Sequence, residues 1–258
     1  MTTEAAPQLE LRAVPGLPLV RAGDDLAALL LDGLGRSGIA LRAGDVLVVA
    51  QKIVSKAEGR LVDLAAVVPS ARARELAPLV NKDPRLVELV LGESRRVVRA
   101  ARDVLIVEHR LGFVMANAGV DQSNVAAPGQ GEYALLLPLD PDASARRLRA
   151  AIAARAGVAP GIVINDSFGR AWRVGTVGVA IGAAGVPALR DLRGTPDLLG
   201  RTLRVTVVGH ADEIAAAASL LMGQAAEGCP AVLVRGLTSG PEQPAAVLLR
   251  PPAEDLFR

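Results

Sequence analysis

Gly161-Ile-Val-Ile-Asn-Asp-Ser-Phe-Gly-Arg-Ala-Trp-Arg173 opens as an apolar, β-branched run and closes with a carboxylate, a hydroxyl, a glycine and two arginines. Ile162, Val163 and Ile164, bounded by glycine and polar residues, predict a short buried strand whose end delivers Asn165, Asp166 and Ser167 to a loop. Upstream, residues 132–137 read as a strand and Asp142 as the cap of a helix running to 154, so a β-α unit feeds this strand and Asp166 follows a crossover helix. Asp166 offers hard anionic oxygens for Mg²⁺ or Mn²⁺, and Ser167 a neutral oxygen beside it. Arg170 and Arg173 offer planar forks for phosphate or carboxylate. A capped turn with solvated arginines is the alternative that the stretch alone leaves open.

Composition bounds the rest. With 258 residues and 51% hydrophobic content, the chain has enough apolar material for one large domain or two smaller ones. Aromatics make up only 2%, and 29 basic residues nearly balance 27 acidic ones, which argues against a nucleic-acid partner. A single cysteine, Cys229, excludes a disulfide framework and a multi-thiolate metal site, and fits a reducing, cytoplasmic location. The N-terminus lacks the basic and apolar regions of a secretion signal. The most apolar long stretch, 176–189, is too short and too interrupted by glycine and proline to span a membrane.

Outward from the opening stretch, 9–14 and 46–50 read as strands, and 26–34 as a helix preceded by Asp24 and Asp25. Arginine outnumbers lysine 26 to 3, yet Lys52 and Lys56 fall within five residues of each other just after the strand at 46–50. In helical or extended form they share a face, which suits two compact ammonium groups on phosphate; two solvated lysines are the alternative. Residues 70–80 and 84–91 read as helices, and 95–100 and 104–108 as strands that 112–115 continue. The loop 116–124 is rich in residues that tolerate unusual backbone angles and supplies a second carboxylate, Asp121. Gly175, Gly178, Gly182 and Gly185 in an apolar background suggest close backbone packing or bulged strands. Residues 202–208 read as a strand, His210 as part of a turn, 211–222 as a helix, 230–234 as a strand and 245–249 as the last strand. The segment 222–228 reads as a glycine C-cap or as an oxygen-rich loop.

In this order, Gly16-Leu-Pro-Leu19, Gln51-Lys-Ile-Val-Ser-Lys-Ala-Glu-Gly59, Asn117-Ala-Gly-Val-Asp-Gln-Ser-Asn124, Asn165-Asp-Ser-Phe-Gly-Arg-Ala-Trp-Arg173 and Leu221-Met-Gly-Gln224 resemble the coenzyme F420:L-glutamate ligase (CofE) family. The likeness runs over 9–236 and on to the Glu-Asp-Leu-Phe-Arg tail. It implies a GTP-dependent enzyme that joins L-glutamate to the lactyl carboxylate of coenzyme F420-0 and extends a γ-linked glutamate tail. Mg²⁺ or Mn²⁺ is then required, with K⁺ assisting. The resemblance assigns Asp121, Asp166, Ser167 and Gln224 to metal, and Asp121, Asp166 and Lys56 to catalysis. It assigns Leu17, Pro18, Leu19, Val20, Gln51, Lys56 and Asn124 to GTP, together with Met222, Gly223, Gln224, Ala225, Ala226, Glu227, Gly228 and Cys229. Arg170 and Arg173, read from their own side-chain chemistry rather than from the resemblance, are expected as substrate contacts. The implied fold is α+β, with mixed sheets and flanking helices in a two-lobed subunit that forms an intertwined homodimer. One ligase unit covers 1–258, without the nitroreductase-like domain fused in some relatives. Ser167 stands where many members have threonine, and Ala171 where proline is common. Another metal-dependent carboxylate-amine ligase, a nucleotide phosphohydrolase and a non-catalytic nucleotide-binding dimer are the competing functions.

Overall fold

The structure, a computed structural model, describes residues 6–125, 131–238 and 240–255, and of Arg170 the backbone. The chain begins with β1 (Glu10–Ala13), α1 (Leu26–Arg36), β2 (Val46–Ala50), α2 (Gln51–Ala57) and β3 (Leu61–Asp63). It continues through α3 (Ala71–Val80), α4 (Pro84–Gly92), β4 (Ser94–Ala101), β5 (Val104–His109), β6 (Val114–Ala116) and β7 (Tyr133–Leu135). The second half holds α5 (Pro141–Ala156), β8 (Gly161–Arg170), β9 (Arg173–Ala184), β10 (Arg190–Asp191), β11 (Val207–Val208), α6 (His210–Met222) and β12 (Ala231–Arg235).

The main sheet has the order β1-β12-β2-β8-β9, in which β2 and β8 run parallel and the other pairs antiparallel. Leu47, Val49, Ile162, Ile164 and Leu233 face a core that contains Leu30 of α1 and Ile152 of α5. Their neighbours Val46, Val48, Val163, Val232 and Val234 face Ile214 and Ala218 of α6. Covering both faces explains why these strands read as unbroken apolar runs. Each such side chain stabilises the fold by about 1.5–3 kcal/mol on burial. A third cluster joins Leu76 of α3, Val87 and Val90 of α4 and Leu105 and Val107 of β5, whose sheet has the order β4-β5-β6. The expected α+β class with mixed sheets and flanking helices is therefore observed. No helix among the described residues is long and apolar enough to cross a membrane.

Several local expectations need correction. Asn165, Asp166 and Ser167 do not enter a loop: β8 continues to Arg170, paired with β9 up to Arg173. The antiparallel ladder satisfies their backbone groups, so the polar triplet remains extended. Asp140 rather than Asp142 caps α5, accepting from the Ala143 N–H at 2.9 Å, because Pro141 takes the first helical position. Asp142 instead turns inward. Its Oδ1 accepts from the N–H groups of Ala183 (2.8 Å) and Ala245 (2.7 Å), and its Oδ2 from Ala246 (3.2 Å). Those bonds hold Ala245–Leu248 as a 3₁₀ turn where a strand was expected. Of 202–208 only Val207–Val208 is a named strand, and His210 opens α6.

The glycine expectation holds at two positions where backbone meets backbone. A Cβ on Gly178 would lie 2.5 Å from the Ala215 carbonyl oxygen of α6, and one on Gly182 would lie 2.4 Å from the Pro141 carbonyl oxygen of α5. Between them β9 bulges: Ile164 pairs with Gly182 but Asn165 pairs with Ala180, leaving Ile181 as the extra residue.

Candidate functional site

β2 and β8 are adjacent and parallel, with Ala50 beside Asn165, so Gln51 leaves the carboxyl end of β2 next to Asp166, where the parallel ladder stops and β8 runs on against β9 alone. That is where open sheets with parallel strands collect ligands. α2 starts at once and carries Lys52 and Lys56 one turn apart on one face. The loop after β6 reaches the same place through Asn117, Ala118, Gly119 and Asn124, all with positive φ between 51° and 67°. Asp121 is fixed by reciprocal backbone bonds with Leu135 of β7, at 3.0 and 2.8 Å. From the opposite side comes the loop after α6. Gly223 has φ 70° and ψ −174°, a conformation essentially restricted to glycine. A Cβ there would lie 2.0 Å from the Glu227 carboxyl carbon, so the missing side chain makes room for that carboxylate.

These segments enclose a cleft of about 650 Å³. Its wall includes Leu17, Pro18, Leu19, Val20, Gln51, Lys56, Asp121, Asn124, Asp166, Ser167 and every residue from Met222 to Cys229. All the nucleotide and metal candidates thus meet in one place. Arg173 does not: it is exposed at the β8–β9 turn and is absent from this wall, while the Arg170 side chain lies outside the described residues. Ser123, Asn165, Phe168 and Thr176 also line the cleft without having been assigned to it, and so does Lys52, which its spacing but not the family resemblance pointed to. Thr176 enters only because it pairs with Gly169.

Hydrogen bonds tie the walls together. Lys52 donates to Asp121 and to the Ser123 hydroxyl at 2.6 Å, and Lys56 donates to the Asn124 carbonyl at 2.6 Å. Asn124 Nδ2 donates to the Ala225 carbonyl at 3.1 Å, and Ser167 Oγ donates to Gln224 Oε1 at 2.7 Å. Glu227 accepts the Ala225 N–H at 2.8 Å, which helps to hold its carboxyl below the usual range. Gln51 is buried with Oε1 unpaired, an acceptor available to a ligand.

The two central carboxylates differ in charge behaviour. Burial raises Asp121, but hydrogen bonds from Lys52 and Ser123 outweigh it and hold the carboxyl below its ordinary range. Burial pushes Asp166 up to about 6, with the Asp121 charge adding to the rise and the Ser167 N–H opposing it. Lys56 is lowered by burial and by Lys52. Two carboxylates, a hydroxyl and an amide carbonyl are hard oxygen donors of the kind Mg²⁺ and Mn²⁺ take. No group of three His, Cys, Asp or Glu side chains poised for metal occurs among the described residues, so neutral oxygens would complete the shell.

Asp166 yields a pH prediction. Its folded-state pKa lies above its unfolded value, so the metal-free protein loses stability from this group as pH rises from about 4 through about 6. A cation binding the ionised carboxylate restores it, and protons compete below about 6. Mn²⁺ should therefore raise the melting temperature clearly at pH 7.5 and little at pH 5, as read by calorimetry. An equal rise at both values would rule Asp166 out as a candidate metal ligand.

Comparison with known proteins gives a consistent picture. The family profile described as F420-0:Gamma-glutamyl ligase matches residues 16–236. The coenzyme F420:L-glutamate ligase of Methanopyrus kandleri is 48% identical over 258 residues, covering 98% of each chain. That of Methanothermobacter thermautotrophicus is 46% identical over 97% of this chain and 99% of its own. That of Archaeoglobus fulgidus is 45% identical over 97% of both.

Proposed function

The chain belongs to the F420-0:gamma-glutamyl ligase family, and from that premise we infer that it joins L-glutamate to the coenzyme F420 precursor as an acid–amino-acid ligase of coenzyme F420 biosynthesis. The reaction belongs in the cleft between Asp121, Asp166 and the loop 222–229. GTP is the co-substrate, the lactyl carboxylate of F420-0 is the acceptor, and further glutamates follow through γ-linkages. The observation that carries this reading is convergence: carboxylates far apart in sequence meet beside two lysines where the parallel pairing of β2 and β8 ends.

A carboxylate has no leaving group until one oxygen is phosphorylated. The acceptor carboxylate attacks the γ-phosphorus and the bond to GDP breaks; the glutamate amine, having lost its ammonium proton, then displaces phosphate from the acyl carbon and gives up a second proton as the amide forms. Lys56 offsets phosphate charge during the first step, and Asp121 and Asp166, with Ser167 and Gln224, would hold Mg²⁺ or Mn²⁺. When bound, the divalent ion neutralises phosphate charge that would repel the incoming carboxylate. Buried Gln51 offers its unpaired Oε1 to the nucleotide.

We also propose a homodimer. It is supported by Leu198, Leu199 and Val205 in the arm between β10 and β11, which expose 85% or more of their surface, beyond what isolated surface residues explain.

Incubating the protein with F420-0, L-glutamate, Mn²⁺ and either GTP or ATP, with mass readout, tests the assignment. A glutamyl product that forms faster with GTP is expected. Nucleotide hydrolysis without product would favour a phosphohydrolase, and tight binding without turnover a nucleotide-binding dimer. Lys56→Ala should lower kcat/KM at least about tenfold, the loss of a charge-assisted phosphate contact. Lys82→Ala, remote from the cleft wall, should match the wild type; indistinguishable kinetics for the two would contradict the role of Lys56.

A further inference from the structure

Lys52, rather than Lys56, is the lysine that meets a carboxylate. Its ammonium donates to Asp121 Oδ2, to Ser123 Oγ at 2.6 Å and to the Ser123 carbonyl at 3.0 Å. All three protons therefore have acceptors within one turn of chain. The other Asp121 oxygen accepts the Ser123 N–H at 2.7 Å. Across the cleft, Ser167 and Gln224 are bonded to each other. The Asp121, Ser167 and Gln224 oxygens thus already have partners, and on Asp121 that partner is a compact cation with three donors. Lys52 and Asp121 keep 31% and 33% side-chain exposure, so water screens the pair and it can be exchanged.

We propose that Lys52 couples metal and nucleotide binding in the ligase: it holds the cation position on Asp121 until a divalent ion replaces it, and thereafter contacts the nucleotide phosphates. The proposal rests on reading the cleft as the metal and nucleotide site. Metal binding without nucleotide leaves the Lys52 ammonium stripped of its carboxylate. With nucleotide present, phosphate oxygens replace that acceptor. Each ligand thereby relieves an expense of binding the other, and the coupling is reciprocal.

The test is Mn²⁺ affinity, read from the paramagnetic resonance of free Mn²⁺, with and without saturating GDP, in wild type, Lys52→Met and Lys52→Gln. Circular dichroism confirms folding, and two variants guard against a fault peculiar to one. Without nucleotide, both variants should bind Mn²⁺ about fivefold tighter or more; with GDP they should bind it more weakly than wild type by a similar factor. Equal tightening in both conditions would reduce Lys52 to a nearby positive charge and overturn the proposal, as would unchanged affinity in both. A wild type that binds no Mn²⁺ even with GDP would instead remove the metal site itself. Asp121→Asn in the Lys52→Met background should abolish the tightened binding.

Discussion

Asp166→Asn is expected to slow glutamate-dependent phosphate release by on the order of a hundredfold or more, and to raise the Mn²⁺ concentration needed for half-maximal rate. The amide keeps the size of the side chain and removes the charge that Asp166 carries above about pH 6. Asp121→Asn should act similarly, and it also deprives Lys52 of its carboxylate. Because the two act as one unit, the double change should cost far less than the product of the single effects. Phosphate release measured against Mn²⁺ for all four proteins, with circular dichroism as control, decides the matter. A folded Asp166→Asn protein with wild-type turnover and metal dependence would move the reaction out of this cleft.

The second large effect concerns stability. Asp142 is buried and satisfies three backbone N–H groups, from β9 and from the 3₁₀ turn at Ala245–Leu248. Asp142→Ala strands those donors and should destabilise the fold by about 3–5 kcal/mol, near the upper end for single substitutions. A fall in melting temperature of roughly 10 °C would accompany it. Asp142→Asn should be intermediate: one oxygen can still serve Ala183 and Ala245, but its amide would face the Ala246 N–H, donor against donor. Asp140→Ala removes only a helix cap and should cost about 1 kcal/mol. Urea melts that rank Asp140→Ala as more damaging than Asp142→Ala would refute this division of roles.

The same two aspartates mark where sequence reading stopped. An acidic residue beside a helix start looks like a cap whichever of two neighbours does the capping; Pro141 decides between them, and the true partners of Asp142 lie 41 and 103 or more residues away. The apolar strands β2, β8 and β12 were legible because helices cover both faces of their sheet. The polar end of β8 was not, since Asn-Asp-Ser resembles a loop until the β9 ladder is supplied. The Lys52 and Lys56 pairing was visible in local spacing, but the acceptor of Lys52 is 69 residues distant. Gly178 and Gly182 announced close packing without naming the helices they meet.

The bulge at Ile181 bears on how this site can move. It joins two lengths of β9 with different phase, the inner keyed to α5 at Gly182 and the outer keyed to α6 at Gly178. Sliding the ribbon by one residue in either direction would drive a side chain into helix backbone at both ends at once. Asp166 sits two residues past that joint on β8, paired through Val179 with the strand that these contacts key. The register of the strand pair that carries Asp166 is thereby held from both faces of the sheet, by α5 on one side and α6 on the other.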